Sequence, residues 1–330
     1  MIYKNLDDIY EAYDAFLVDV YGVIYDGRDI YNGALDALAK IKASGRPVVI
    51  LSNTSLVASV CMEKYAYNNL MHGVHYDRFI SSGEAFKQTI RQHIPGAESC
   101  FQIFERNYEI FMGSEITEAK SLQEADFVYV GSLDGLRNAF FIDNAHRKNG
   151  TKVLIEDVTS TDFHDLAGLE EVTEILDLCL KYDKQLVVAN PDVFALKSVK
   201  MGGAIQKRPV ICQGAIGELY ERAGGKVLYF GKPHCAIYDF ALSFLEGSSK
   251  PAMIGDTPWT DILGGNIAGI GTILTLTGVP GEFFKSMPPT ISIDEKFDLL
   301  LREISPKMTH NSLRGISQQP NHVVERLAVS

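Results

Sequence analysis

At 330 residues, the chain is long enough for two domains or for one core carrying a large insertion. Its 46% hydrophobic and 22% charged residues are those of an ordinary globular protein. A formal net charge of −11 argues against nucleic acid or an anionic membrane as the main partner, yet permits a small anion in a locally positive pocket.

The first fourteen residues, MIYKNLDDIYEAYD, are polar and acidic and have no signal-peptide pattern. No apolar run reaches the length of a membrane span. Five scattered cysteines (Cys61, Cys100, Cys179, Cys212, Cys235), never in CxxC spacing, fit a reducing compartment, so a cytoplasmic protein is expected. Residues 15–20 (AFLVDV) read as a buried strand and 33–43 as an amphipathic helix with Leu35, Leu38 and Ile41 near one face. Gly45 stops that helix, and 47–52 (PVVILS) reads as a second strand, so the three pieces form a βαβ unit of a parallel sheet.

The middle carries its own strands at 126–133, 152–157 and 185–190, with a helix over 170–183, and reads as a second α/β unit inserted into the first. Late in the chain come a strand at 226–230, a helix at 236–246, strands at 251–255 and 271–278, and a short helix at 261–269. The expected domains are a core of 1–83 with 213–303 and an inserted unit of 84–212. Residues 304–330, polar with scattered apolar positions, are expected to be a disordered C-terminal extension.

In a parallel α/β sheet, ligands gather beyond the C-terminal ends of the strands. Polar residues stand at four such ends: Asp19, Ser52-Asn53, Lys232 and Asp256, with Asp261 five residues on. Carboxylates hold a hard cation through oxygen, and a lysine offers a point charge to phosphate or to a nucleophile. Hydroxyl and backbone N–H groups take the remaining phosphate oxygens, and an aspartate held beside phosphorus can attack it. Singly, each has a plain alternative: Ser52-Asn53-Thr54 and Asp256-Thr257-Pro258 both read as helix caps, and Lys232 as a loop lysine. Their joint order and spacing argue for one site.

The segments DVYGV (19–23), ILSN (50–53), GKP (231–233) and GDTPWTD (255–261) resemble, in order, the four motifs of the haloacid dehalogenase-like superfamily. NGA (32–34), ISSGEAF (80–86), VVANPD (187–192), YFGKPHCAIYDFAL (229–242) and TDILGGNIAGIGTILTLTGV (260–279) resemble its class IIA branch, the NagD/p-nitrophenylphosphatase-like group. The resemblance implies a doubly wound, Rossmann-like parallel sheet with a C2-type α/β cap, and a magnesium-dependent phosphatase acting on a small phosphorylated metabolite such as a sugar phosphate. Asp19 would be the nucleophile that becomes an aspartyl-phosphate, Ser52 and Asn53 would hold phosphate, and Lys232 would orient both. Magnesium would sit on Asp19, Asp256, the Tyr21 carbonyl and Asp261, and Asn190 and Asp192 would shape the substrate pocket. Relatives dimerise through the cap, which leaves a homodimer open.

Tyr21 departs from the pattern, because phosphatases of this family place a second aspartate there to protonate the leaving oxygen and then activate water. A phenol with pKa near ~10 suits neither task at neutral pH, and losing such help lowers rates by ~10²–10⁴-fold. Three readings stand. The chain is a phosphatase that tolerates Tyr21, slowly or on a good leaving group; a non-catalytic or single-turnover phosphometabolite binder; or a dehalogenase, for which halide needs no proton. GDTPWTD keeps the acidic metal ligands that dehalogenation does not need. Asp26 reads as a solvated turn residue, although it could replace the missing acid. His72 and His75, without acidic or cysteine partners, read as a loop, and the glycines of 264–271 as close helix packing rather than a dinucleotide fingerprint. Trp259 fits either a site entrance or simple packing.

Overall fold

The computed structural model describes residues 2–3, 6–104, 109–133, 170–201 and 204–329. In chain order its first part runs β1 (Ile2–Tyr3), β2 (Ala15–Val18), α1 (Ala34–Ala43), β3 (Val48–Ser52), α2 (Ala58–Ala66), β4 (Arg78–Ser81) and α3 (Ser82–His93). The middle holds β5 (Ser99–Ile103), β6 (Thr117–Glu118), β7 (Phe127–Val130), α4 (Glu170–Lys181), β8 (Leu186–Val188), β9 (Phe194–Met201), β10 (Ala204–Ile211), α5 (Gln213–Arg222) and β11 (Val227–Tyr229). There follow α6 (Cys235–Leu242), β12 (Pro251–Gly255), α7 (Leu263–Ile267), β13 (Gly271–Thr275), α8 (Gly278–Lys285) and β14 (His322–Val324).

Seven strands form one parallel sheet in the order β1-β14-β13-β12-β2-β3-β4. The runs AFLV, VVIL and AMIG are buried throughout, as strands covered on both faces must be. From β2 the chain steps to β3 and β4 on one side, and from β12 to β13 on the other. The crossovers therefore diverge between β2 and β12, where a doubly wound sheet opens its crevice. Register decides what reaches that crevice. Val18 pairs with both Ile254 and Ile50, so Asp19, Asp256 and Ser52 emerge within two residues of one level.

The chain divides into two units, Met1–Ala85 with Gly231–Ser330, and Phe86–Phe230. The smaller unit has a parallel sheet in the order β11-β8-β7-β5-β6 and an antiparallel hairpin of β9 and β10. Its core joins Val128, Val130, Leu186 and Val188 to Val172, Leu176 and Cys179 of α4, which recur at helical spacing.

Two expectations are corrected. The return crossing falls after Phe230, not at 212/213, because β11 pairs with β8 and so belongs to the smaller sheet. A short apolar run before a helix reads identically in either sheet, and only its tertiary partner decides. The tail is no disordered extension: β14 lies between β1 and β13, and Val324 and Leu327 are fully buried in the larger core. Asn321 fastens it by accepting from the Thr272 amide at 2.8 Å. The strand expected at 152–157 lies outside the described residues. Among the described residues, no helix is long and apolar enough to cross a membrane.

Candidate active site

Asp19 follows β2 directly, and its amide still belongs to the sheet, donating to the Ile254 carbonyl at 2.9 Å. The chain then folds on itself: Gly22, at φ 92°, donates to the Tyr25 carbonyl, and the Ile24 and Tyr25 amides donate to Val20. Asp256 follows β12, and Asp261 sits in the wide helical turn Pro258–Ile262 that precedes α7. A Cβ on Gly255 would stand 2.1 Å from the Asp261 Cβ, so glycine lets this turn close on the strand end.

Lys232 reaches the cluster by a different route from the one expected. The strand before it lies in the smaller sheet, so no strand of the larger sheet delivers it. Asn53 does that work instead. Its Nδ2 donates to the Lys232 carbonyl at 2.8 Å and its Oδ1 accepts from the Lys232 amide at 2.7 Å, which pins the loop at both backbone groups. The expected phosphate ligand Asn53 is thus engaged in holding Lys232.

The Lys232 Nζ donates to Asp19 Oδ1 at 2.6 Å and to Asp261 Oδ1 at 2.7 Å. Side chains of Asp19, Asp256 and Asp261 each offer an oxygen within 4.8 Å of the others. Exposures of 7% for Asp19 and 2% or less for Lys232, Asp256 and Asp261 leave water little part in screening them. Burial lifts the Asp19 carboxyl well above the usual range; Lys232 opposes this, and Asp261 and Asp256 add to it. Asp256 is pushed up to about 7 by burial and then by Asp261, against hydrogen bonds from Val279 and Thr257. For Lys232, burial pulls the ammonium down, but Asp19 and Asp261 outweigh it and the net shift is upward.

Three carboxylates facing one ammonium leave a surplus of two negative charges when all are ionised. A buried surplus of that size calls for a counter-charge, and a set made of oxygens suits a hard divalent cation. Asp19, Asp256 and Asp261 could therefore hold a metal ion.

A sequence model of haloacid dehalogenase-like hydrolases matches residues 16–126, and a further model of the same kind matches 229–291. These stretches carry Asp19, Ser52, Lys232, Asp256 and Asp261. This chain is a haloacid dehalogenase-like hydrolase. It is 25% identical over 298 residues to phosphoglycolate phosphatase 2 of Arabidopsis thaliana, covering 84% of this chain and 88% of that one. It is also 25% identical over 298 residues to an acid sugar phosphatase of Staphylococcus aureus, covering 86% and 96%. A haloacid dehalogenase-like hydrolase structure from Brucella suis superposes with a TM-score of 0.65 at 22% identity, over 99% of this chain and 100% of that one.

Not every residue named from sequence joins the cluster of this haloacid dehalogenase-like hydrolase. Ser52 ends β3, buried, beside Ser81 of β4. Residues 52–57 lie on the start of α3, where the Ser82 hydroxyl and the Gly83 amide donate to the Thr54 carbonyl. A Cβ on Gly83 would meet the Ser55 carbonyl at 2.3 Å, which accounts for the glycine of ISSGEAF. Asn190 and Asp192 belong to the smaller unit, where Asn190 Oδ1 accepts from the Asp192 amide at 2.9 Å.

Tyr21 is half-buried, its ring edge-on to Tyr25 with centroids 6.3 Å apart. Its hydroxyl lies over Gly27, where a Cβ would come within 2.4 Å. Burial, with Asp26 and Tyr25 adding to it, holds the phenol above the usual tyrosine value. Asp26 is a half-buried turn residue that accepts from the Arg28 and Asp29 amides, both at 2.8 Å. His75 accepts from the Met71 amide, and His72 contacts the Asp77 carbonyl at 3.0 Å, as loop residues do. Trp259 is buried, and Gly264 and Gly265 fit against the Tyr238 ring and Thr272.

Sequence reasoning missed three contributors. The Thr257 hydroxyl donates to Asp256 Oδ1 at 2.9 Å and its amide to Asp261 Oδ2 at 3.0 Å. The buried Tyr238 hydroxyl donates to the Asp261 carbonyl, and the Val279 amide to Asp256 Oδ2 at 2.8 Å. The one available signal was the glycine pair Gly22 and Gly278, whose positive φ brings backbone up to Asp256.

Proposed function

We infer that this hydrolase is a magnesium-dependent phosphatase of small phosphorylated metabolites, acting through Asp19. The observation that carries the reading is the buried Lys232 ammonium set between Asp19 and Asp261, with Asp256 in the same cluster. Asp19 attacks phosphorus through a carboxylate oxygen, the ester P–O bond breaks, and the leaving oxygen departs with its electron pair. Water then attacks the aspartyl-phosphate, freeing inorganic phosphate and the Asp19 carboxylate and losing a proton to solvent. Lys232 orients Asp19 and opposes the protonation that burial favours, and the Ser52 hydroxyl binds a phosphate oxygen. Asp19, Asp256, the Tyr21 carbonyl and Asp261 would hold magnesium, which when bound would supply positive charge against the phosphoryl oxygens.

Tyr21 narrows the substrates. Its hydroxyl lies over Gly27 and its proton is held more tightly than usual, so the leaving oxygen departs without a strong acid beside it. The reading therefore favours phosphates with stable leaving groups. The same observation supports a second reading, a protein that binds phosphometabolites and turns over once at most.

Phosphate release from p-nitrophenyl phosphate and a panel of small phosphomonoesters, with magnesium and with chelator, tests the first reading against Asp19→Asn as blank. Turnover that needs magnesium and Asp19 is expected; none above the blank overturns it. Tyr21→Asp separates the two readings. A gain of roughly 10²-fold or more is expected from a scaffold that lacks only its acid, and no gain favours the binder.

A further inference from the structure

The turn after β13 carries none of the expected chemistry, yet it surrounds Asp256. The Thr277 hydroxyl donates to the Gly22 carbonyl at 2.6 Å. It also lies 3.1 Å from the Thr275 hydroxyl. Two residues on, the Val279 amide donates to Asp256 Oδ2 at 2.8 Å from the first turn of α8, where the helix end favours negative charge. Between them Gly278, at φ 63°, leaves no room for a side chain. A Cβ there would stand 2.0 Å from Asp256 Oδ2 and 2.6 Å from the Gly22 Cα. From the other side, a Cβ on Gly22 would stand 2.2 Å from the same oxygen. The carboxylate thus lies in a slot walled by two α-carbons.

The Asp19 loop needs such a tie. After the Asp19 amide leaves the sheet, Gly22, Ile24 and Tyr25 bond within the loop itself. Like charges on Asp19 and Asp256 push the loop away from the strand end that bears its neighbour. The Thr277–Gly22 bond crosses that gap, and the turn is braced in its own right because the Leu276 amide donates to the Val324 carbonyl of β14 at 2.9 Å.

We propose that Thr277 is a positioning residue for the cation: by tying the Gly22 carbonyl to the turn that grips Asp256, it holds the Asp19 loop and Asp256 at the separation a divalent ion requires. The proposal rests on the phosphatase reading only in treating the cation as functional. Its test reads binding directly.

Mn2+ titrated calorimetrically into the full chain, as wild type, Thr277→Val and Thr277→Ser, is the experiment. Valine keeps the shape and loses the donor; serine keeps the donor. Outer partners of metal ligands typically alter affinity 10–100-fold, so Thr277→Val is expected to bind Mn2+ roughly tenfold or more weakly, with Thr277→Ser within about threefold of wild type. Where turnover is measurable, the magnesium concentration for half-maximal rate rises in Thr277→Val more than kcat falls. Thr275→Val, which removes the second hydroxyl, gives a smaller loss and carries the test if Thr277→Val does not fold. Wild-type affinity in Thr277→Val, wild-type affinity in Thr275→Val should it have to stand in, or equal losses in the serine and valine variants would overturn the proposal, as would a wild type that binds no Mn2+. A wild type that binds Mn2+ but releases no phosphate refutes the phosphatase reading alone.

Discussion

Replacing Lys232 by methionine removes the ammonium and keeps an unbranched stem of similar reach. In the folded protein the ammonium stands 2.6 Å from Asp19 and 2.7 Å from Asp261, and all three side chains are buried. Removing one partner of a buried ion pair typically costs about 3–5 kcal/mol, mostly from the charge left uncompensated. Here two carboxylates lose a neighbour at once, but Asp19 can escape by taking up a proton. That escape costs ~1.4 kcal/mol for each unit by which the pH exceeds the folded pKa. Asp19 is already raised in the folded protein, and without Lys232 the force opposing that rise disappears. A carboxyl whose folded pKa exceeds its unfolded one stabilises fully below the unfolded value, near ~4, and loses that contribution as pH climbs through the folded value. The variant should therefore be only ~1 kcal/mol less stable than wild type at pH 5, and about 3–5 kcal/mol less stable at pH 8. Urea unfolding with chelator at pH 5, 6.5 and 8 measures the difference. Equal destabilisation at pH 5 and pH 8, or a loss below ~1 kcal/mol at pH 8, would refute a buried, unscreened cluster.

Gly278→Ala should weaken Mn2+ binding at least tenfold while costing several kcal/mol of stability, since the added carbon falls 2.0 Å from Asp256 Oδ2 at a positive φ; paired titration and urea unfolding check it, and wild-type values in both would discredit the slot. With Asp256 raised to about 7 in the cation-free site, binding displaces the Asp256 proton below that pH and finds Asp256 already ionised above it. Mn2+ affinity should accordingly fall by up to about tenfold per unit below pH 7 and level off above, so a flat profile from pH 5.5 to 8 contradicts the assignment. Ending the chain at residue 316 strips β14 from the larger sheet and leaves β13 at an edge. Loss of cooperative melting in circular dichroism is the expected result, and an unchanged midpoint would show the tail to be dispensable.

The central strands were legible because a buried parallel strand is a short, wholly apolar run, and AFLV, VVIL and AMIG are such runs ended by a polar residue. Asp19, Ser52 and Asp256 could be placed together for that reason alone. Lys232 was placed rightly by chemistry and wrongly by architecture: VLYF pairs with β8 of the smaller sheet, and long-range pairing leaves no local mark. The role of Asn53 was hidden similarly, because an amide that clamps a loop 179 residues away reads in sequence like any strand-end cap. β14 escaped notice because three residues, His322–Val324, are too few to display a period. Thr277 and Val279 act through a hydroxyl and a backbone amide, and a backbone amide has no residue type by which to be recognised.

The pairing of β1 with β14 also bears on how the protein is made. The larger sheet joins residues 2–3 to residues 323–324, so it cannot close on the ribosome until both ends of that span have emerged. Residues 86–230 are continuous, and every strand of their sheet is available well before then. The smaller unit can thus complete itself first, while β13 waits as an open, apolar edge for its last neighbour. Synthesis carries the unit that bears Asp19 and Asp256 through the longer exposure, and a chaperone that shields unpaired strand edges would find its substrate there.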